Sequence, residues 1–275
     1  MNYVEINETN AEDFSSVLPK EWLNGWGVSV GAVEEGDVCG AVCLSYNGEE
    51  YLIDWLYVVP PKRRLGVARG MIAEARDLVF RVGIAPIRMM VNASDENGMY
   101  AFVTSLEGGD LPAVTSYSHD RYVISTKDFR RSPAVKEVLK KGNLISSYQT
   151  MFFWNMEEAE RANTFLLISD SFYVCDEKKF MDGCEKPLCM AVKSKEGTEA
   201  VLLVEREDEQ TLLLSYLYAR QAKALAYVFQ ELYALLSEYE TPQTIYFEPV
   251  TKESRRLAEH LFPDAEKEPV YEVEL

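Results

Sequence analysis

Histidine and cysteine are scarce, and cations are outnumbered. Only His119 and His260 are present, and the five cysteines, Cys39, Cys43, Cys175, Cys184 and Cys189, form no C-x-x-C pair. That supply supports neither a zinc site nor a disulfide framework, so no metal is expected and the thiols read as buried and inert. No apolar run approaches the roughly 20 residues of a membrane-spanning helix, so no membrane partner is expected. The start, Met-Asn-Tyr-Val-Glu-Ile, lacks the basic-then-apolar order of a secretory signal, and the expected location is the cytoplasm. Lys and Arg number 28 against 45 Asp and Glu, a net charge of −17. Such a surface repels phosphate backbones, which argues against nucleic acid. It suits a cationic substrate, and equally a merely solubilising surface.

What is present describes a folded chain. With 275 residues, 47% hydrophobic and 12% aromatic, there is material for a large core and for two domains of ordinary size.

The charge balance reverses in one place. No acidic residue occurs between Asp54 and Glu74, and the stretch between them holds Lys62, Arg63, Arg64 and Arg69. An apolar strand, Tyr51 to Val59, leads into this basic turn, and an amphipathic helix starts near Gly66. A helix start offers N–H groups without intrahelical acceptors and the positive end of the macrodipole, so it attracts anions. Gly66 removes a side chain where a phosphate approaches the backbone, and Ala68 keeps the next position small. The alternative is a surface turn whose arginines are solvated.

Flanking elements read as mixed α/β. A strand near Tyr3–Ile6 precedes Asn10, which can cap a helix ending near Asn24-Gly25. Two β-runs, Val38–Tyr46 and Tyr51–Val59, meet across Asn47-Gly48, a type I′ hairpin signal. The helix from Gly66 places Val67, Met71, Ala75, Leu78, Val79 and Val82 on one face and closes at Gly83. A strand at Ile87–Val91, a helix over 97–106 and a strand around Tyr122–Ile124 follow.

The spacing Val58-x-Pro60-x-x-Arg63-x-x-Gly66-x-Ala68, between a strand and a helix, resembles the acyl-CoA pyrophosphate motif of the GCN5-related N-acetyltransferase (GNAT) family. The order β-α-β-β-β-α-β-α-β matches that family over about residues 1–128. The resemblance implies an α/β mixed-sheet acyl-CoA N-acyltransferase fold with acetyl-CoA as co-substrate. It implies that Tyr57, Val58 and Val59 hydrogen-bond the pantetheine arm. Arg63, Arg64 and Arg69 would hold the pyrophosphate with the N–H groups of Gly66, Val67 and Ala68. Asn97 would contact the cofactor arm.

Acyl transfer to an amine also needs a base and an acid. The resemblance points to an acidic side chain on the strand, and Asp54 sits amid Leu52, Ile53, Trp55 and Leu56, where a charge needs a reason. Alternation places Glu50, Leu52, Asp54 and Leu56 on one face. A carboxylate paired with a nearby arginine, or exposed on the sheet, is the alternative. The family's second helix follows Asn-x-x-Ala-x-x-x-Tyr-x-x-x-Gly-Phe, with Tyr as the acid. Setting Asn97 and Gly108 on it puts Thr104 at the Tyr position and Gly109 at the Phe position, a departure. Tyr100 lies one turn earlier on the same face and is either a substitute hydroxyl or a core or cleft-wall aromatic. Trp22, Trp26 and Tyr46 are acceptor-pocket candidates or core.

The second half repeats the pattern. Leu214-Ser-Tyr-Leu-Tyr-Ala219 parallels Ile53-Asp-Trp-Leu-Tyr-Val58, and each leads into a long helix. A strand at Thr244–Phe247, a helix at Ser254–Leu261 and a last strand at Val270–Leu275 complete the copy. After Ala219 the chain reads Arg220-Gln-Ala-Lys-Ala, with no glycine and no counterpart of Pro60 to Leu65. The expected organisation is a CoA-binding copy at 1–128, a linker at 129–145 and a degenerate copy at 146–275. The expected function is acetyl transfer from acetyl-CoA to a primary amine of a small molecule or peptide. A non-catalytic acyl-CoA-binding or sensing module is the alternative, and a tandem enzyme with a larger acyl or aminoacyl donor is a third reading. The sequence leaves the oligomeric state open.

Overall fold

A computed structural model describes residues 1–19, 22, 27–83, 85–94, 98–107, 111, 113–142, 147–169, 183–239, 243–249 and 251–275. The strands are β1 (Asn2–Glu5), β2 (Val28–Glu34), β3 (Asp37–Tyr46), β4 (Tyr51–Val58), β5 (Ile87–Asn92), β6 (Val114–Ser125), β7 (Gln149–Phe152), β8 (Met190–Ser194), β9 (Gly197–Arg206), β10 (Thr211–Ala219), β11 (Thr244–Phe247) and β12 (Glu266–Glu274). The helices are α1 (Val67–Val82), α2 (Met99–Thr104), α3 (Thr126–Arg131), α4 (Pro133–Gly142), α5 (Glu158–Ser169), α6 (Ala222–Leu236) and α7 (Lys252–Leu261). They form two compact units, Met1–Ser118 with Pro269–Leu275, and His119–Glu268.

In the first unit β1 to β4 make an antiparallel meander, α1 crosses over, and β5 returns parallel to β4. β12, the last strand of the chain, lies antiparallel on β5, from Val270↔Asn92 to Glu274↔Arg88. Val67, Met71, Ala75 and Val79 of α1 bury against Val30, Ala32, Val42 and Leu44 of the sheet. Each large side chain removed from water there contributes roughly 1.5–3 kcal/mol. The buried stripe includes Ile72, and Val82, the last residue of the helix, stands 71% exposed. The other sheet face packs Phe14, Val17, Leu18 and Trp22 against Ala41 and Cys43.

Two local expectations differ from the structure. Asn10 caps no long helix: its side chain accepts from the Asn7 N–H (2.8 Å) and donates to the Glu5 carbonyl (3.0 Å), and a short 3-10 turn, Ala11–Phe14, follows. The hairpin after β3 is wider than a type I′ turn, with Tyr46 paired to Tyr51. The Asn47 side chain accepts from the N–H groups of Glu49 (3.0 Å) and Glu50 (2.9 Å), offering the chain a different turn.

The second unit has the same plan: β7 to β10 form an antiparallel meander, α6 crosses over, and β11 runs parallel to β10. The His119–Ser125 part of β6 completes it, with Tyr122↔Phe247 to Ser125↔Thr244. The stretch 129–145, expected to be a linker with room for a short helix, holds the end of α3 and all of α4, and Phe129 and Val135 bury in this unit's core. The division between units falls inside β6 and β12. Val270–Leu275, expected to finish the second copy, completes the first unit.

Register details carry the repeat. Pairing of β3 with β4 slips between Ile53 and Trp55, and pairing of β9 with β10 slips between Leu214 and Tyr216. Asp54 and Ser215 are thus the extra residues of matching bulges. Beyond them Val59 donates to the Cys39 carbonyl (2.9 Å), and Arg220 donates to the Glu199 carbonyl (2.7 Å). Among the described residues no helix is long and apolar enough to cross a membrane.

A fragment ending at Asp128 lacks β12, so β5 loses its antiparallel partner and Met89, Val91 and Val103 lose Val273. It is expected to unfold without cooperativity or to self-associate, and to recover a cooperative thermal transition when residues 266–275 are added as a peptide. Cooperative melting of the fragment alone would contradict this.

Candidate functional site

The site begins where β4 and β5 part. They pair only at Tyr51↔Ile87 and Leu52↔Arg88, although β4 runs on to Val58 and β5 to Asn92. The bulge at Asp54 is the local cause, since an extra residue bends a strand and increases its twist. It also changes the faces. Ile53, Leu56 and Val58 pack with the α1 core, whereas Trp55, Tyr57 and Val59 pack with the amino-terminal segment. Leu56 therefore leaves the face on which strict alternation set it with Leu52. Asp54 is exposed at the bulge.

Beyond the parting, the β4 edge carries backbone groups that β5 does not meet. Val59 points its N–H at β3, so alternation turns the Val58 carbonyl to the open edge. Arg63 Nε donates to that carbonyl at 2.9 Å, and its guanidinium lies 5.7 Å from the Tyr57 ring centre. Tyr57, Val58 and Val59 thus stand together at the open wedge, with Arg63 folded onto them.

The turn after β4 starts with a 3-10 segment, Pro60–Lys62. Lys62 is spent on Glu34; this contact draws the Glu34 carboxyl below the usual carboxylate range, chiefly through the hydrogen bond. Arg64 adopts φ 62°, uncommon for a residue with a side chain, and Gly66 adopts φ 82° as the N-cap of α1. No side chain caps this helix. The first helical bond runs from Gly70 N–H to the Gly66 carbonyl (3.0 Å). The N–H groups of Val67, Ala68 and Arg69 therefore have no intrahelical acceptor. Nothing lies within 4 Å of a Cβ placed on Gly66, so its surroundings are open. Arg64 is exposed, and among the described residues it has no hydrogen-bonding or ionic partner.

Arg69 reaches away from this cradle: its Nη2 donates to the Ser105 carbonyl at 3.1 Å, tying α1 to the end of α2. The Thr104 hydroxyl donates back into its own helix, to the carbonyls of Tyr100 (3.0 Å) and Ala101 (3.1 Å). Tyr100 packs with Ile53 and Leu56 of β4 against the Met89, Val91 and Val103 cluster. It therefore shares the wedge with β4. Asn97 lies outside the described residues, as does Trp26. Trp22 is only 5% exposed and belongs to the core. Tyr46 donates to the Gly48 carbonyl (2.7 Å), and its ring meets that of Tyr51 at a tilt of 37° at the hairpin. Sequence reasoning missed Tyr271, whose ring centre is 4.9 Å from that of Tyr100. No motif marks it, because pairing from the far end of the chain brings it there.

The corresponding place in the second unit is built differently. Gln221, the N-cap of α6, is extended with φ −143°, and the left-handed turn is missing. Between β10, β11 and α6 a small apolar cavity is lined by Phe129, Leu217, Phe229 and Phe262. The Phe129 ring centre is 5.9 Å from those of Phe229 and Phe262. These rings make the space beside β10 and β11 apolar. Among the described residues no group of three or more His, Cys, Asp or Glu could hold a metal ion.

The family model described as Acetyltransferase (GNAT) family matches residues 4–103. No curated protein matches the sequence. Among solved structures, a tandem GNAT protein from the clavulanic acid biosynthesis pathway is 15% identical, with a TM-score of 0.59 over 90% of this chain and 82% of its own. A GCN5-related N-acetyltransferase from Kribbella flavida is 14% identical, with a TM-score of 0.56 over 98% of this chain and 71% of its own. One from Sphaerobacter thermophilus is 8% identical, with a TM-score of 0.52 over 99% of this chain and 94% of its own. The first unit therefore holds a GNAT-family domain. The chain as a whole has the GNAT fold in two tandem copies.

Gly66→Ala tests the cradle's backbone. A methyl group meets no atom there, so the penalty is that of the left-handed conformation, about 1 kcal/mol. Chemical denaturation should register that loss, whereas equal stability would mean that the turn relaxes out of φ 82°.

Proposed function

We propose that this chain is an N-acetyltransferase that takes its acyl group from acetyl-CoA and gives it to a primary amine of a small molecule or peptide. The observation that carries the reading is the uncapped start of α1 at the mouth of the β4 wedge, with Gly66 left-handed and Arg64 unengaged. A pyrophosphate fits that cradle: it needs N–H donors, a helix dipole and one mobile cation, in a place no Cβ fills. Acetyl-CoA supplies an activated thioester carbonyl.

Each residue then has a task. Arg64 and the N–H groups of Gly66, Val67 and Ala68 hold the pyrophosphate. Backbone groups of Tyr57, Val58 and Val59 align the pantetheine arm along the edge that β5 has left, and Arg63 yields the Val58 carbonyl on binding. Orienting the thioester this way supplies the proximity on which direct transfer relies. Asp54, exposed at the bulge, takes the proton of the incoming ammonium, directly or through water. Tyr100 protonates the departing thiolate. Thr104 is less suited to that task, since its hydroxyl already donates to two carbonyls. The acidic surface favours a cationic acceptor. The second unit binds no CoA in its own wedge, because its helix start lacks the left-handed turn and the space beside β10 and β11 is lined by apolar rings.

A second reading, a non-catalytic acyl-CoA-binding module, draws support from the absence of a phenol at position 104. A broad amine panel with thiol detection separates the two, since binding without turnover favours the module.

Calorimetric titration of acetyl-CoA should give one site per chain, and Gly66→Glu should weaken it more than about tenfold, the equivalent of 1.4 kcal/mol. Equal affinity for both proteins removes the reading, and two sites per chain overturn the view of the second unit.

Asp54→Asn should lower kcat by about 10² to 10⁴ with little change in acetyl-CoA affinity. The deficit should shrink as pH rises, because more amine then arrives neutral. A pH-independent deficit, or none, leaves Asp54 as a structural carboxylate.

A further inference from the structure

Two arginines stand side by side in the turn after β4, and the backbone sends them different ways. Arg64 sits at φ 62° with its side chain exposed and, among the described residues, unengaged. Arg63 is extended, at φ −66° and ψ 151°, directly after the 3-10 segment Pro60–Lys62. That segment folds the chain back: the Lys62 N–H donates to the Val59 carbonyl (2.9 Å) and the Arg63 N–H to the Pro60 carbonyl (3.3 Å). A side chain five residues beyond Val58 therefore returns to it.

What it meets there is the open edge of β4. Arg63 Nε donates to the Val58 carbonyl at 2.9 Å, and the guanidinium carbon lies 5.7 Å from the Tyr57 ring centre. This carbonyl belongs to the stretch of β4 that β5 does not meet, since their pairing ends at Leu52↔Arg88. An uncovered strand edge is a template for pairing with another chain, and a charged side chain laid on it blunts that tendency. In the reading above, the same carbonyl is the acceptor for an amide N–H of the pantetheine arm. A carbonyl oxygen has two lone pairs and can accept twice, so the conflict is one of space. The arginine head lies on the acceptor and beside the Tyr57 ring, where the arm would run.

We propose that Arg63 is a removable cover of the β4 edge, displaced by the pantetheine arm, and not a ligand of the pyrophosphate. The proposal rests on acetyl-CoA being the donor. On binding, the Arg63–Val58 hydrogen bond breaks and an amide N–H of the arm takes the place of Nε–H. Arg63 is exposed, so its head swings into water without disturbing the core. The cover thus opposes the arm, whereas a nucleotide seated at the start of α1 leaves it in place.

The test divides the donor into acetyl-pantetheine, the arm without phosphate, and ADP, the pyrophosphate without the arm. Each is titrated into the full chain as wild type, Arg63→Ala and Arg64→Ala. Alanine at 63 removes both the donor and the bulk from the edge. Acetyl-pantetheine should bind Arg63→Ala more tightly than wild type, by a factor of roughly 2 to 10, the worth of one net hydrogen bond. ADP should lose affinity in Arg64→Ala and keep it in Arg63→Ala. Unchanged or weaker binding of acetyl-pantetheine to Arg63→Ala overturns the proposal, as does a loss of ADP affinity equal to that in Arg64→Ala. A second arm follows the nitrogen-15 resonance of Arg63 Nε–H, assigned by its loss in Arg63→Ala. Its exchange with water should quicken when wild type is saturated with acetyl-pantetheine, and unchanged exchange in that complex overturns the displacement. Failure of acetyl-CoA to bind wild type is a separate result, which overturns the donor itself.

Discussion

Two parallel strands that pair over only two positions leave a row of β4 backbone groups that β5 does not meet, and the first unit is organised around that gap. The pairs Tyr51↔Ile87 and Leu52↔Arg88 hold β4 and β5 together at one end, and the bulge at Asp54 turns β4 away. Unpaired backbone in a protein interior is costly, so such an edge persists where water or a ligand reaches it. The same departure brings Tyr57, Val58 and Val59 to the opening and lets the following turn present the start of α1 there. The open edge, the approach of Arg63 to the Val58 carbonyl and the exposed start of α1 thus follow from one lost ladder.

The opposite flank of β5 needs a strand that the first half of the chain does not supply. β12 arrives from the carboxyl terminus and pairs along five positions of β5, from Arg88 to Asn92. It brings Val273 to the core beneath α2 and the Tyr271 ring to within 4.9 Å of the Tyr100 ring centre. The core of this unit therefore depends on a segment distant from it in sequence.

The second unit shows what the same scaffold becomes without the turn. Its bulge at Ser215 and its Arg220-to-Glu199 hydrogen bond reproduce those at Asp54 and Val59. Its helix start is extended at Gln221, and Phe129, Phe229 and Phe262 line an apolar cavity beside β10 and β11. The topology is shared. What differs is the short loop that gives the strand–helix junction of the first unit a left-handed, uncapped helix start.

Local chemistry in the sequence determined a good deal. The basic turn from Lys62 to Arg69, the glycine at the start of α1, the amphipathic stripe of that helix and the repeat of Ile53–Val58 as Leu214–Ala219 are all readable, because each is set by neighbours in the chain. Tertiary structure decided the rest. A bulge is invisible to a period-two reading, so the expected grouping of Leu56 with Asp54 dissolved at the register slip. Asn10 and Asn47 carried cap and turn signals that their own side-chain hydrogen bonds redirected. Phe129 and Val135 looked like parts of a linker until burial enlisted them. Above all, which strand closes β5 depends on pairing between residues some 180 positions apart, as Arg88 with Glu274. Such pairing is selected by the fit of whole sheets and leaves no mark on the local sequence.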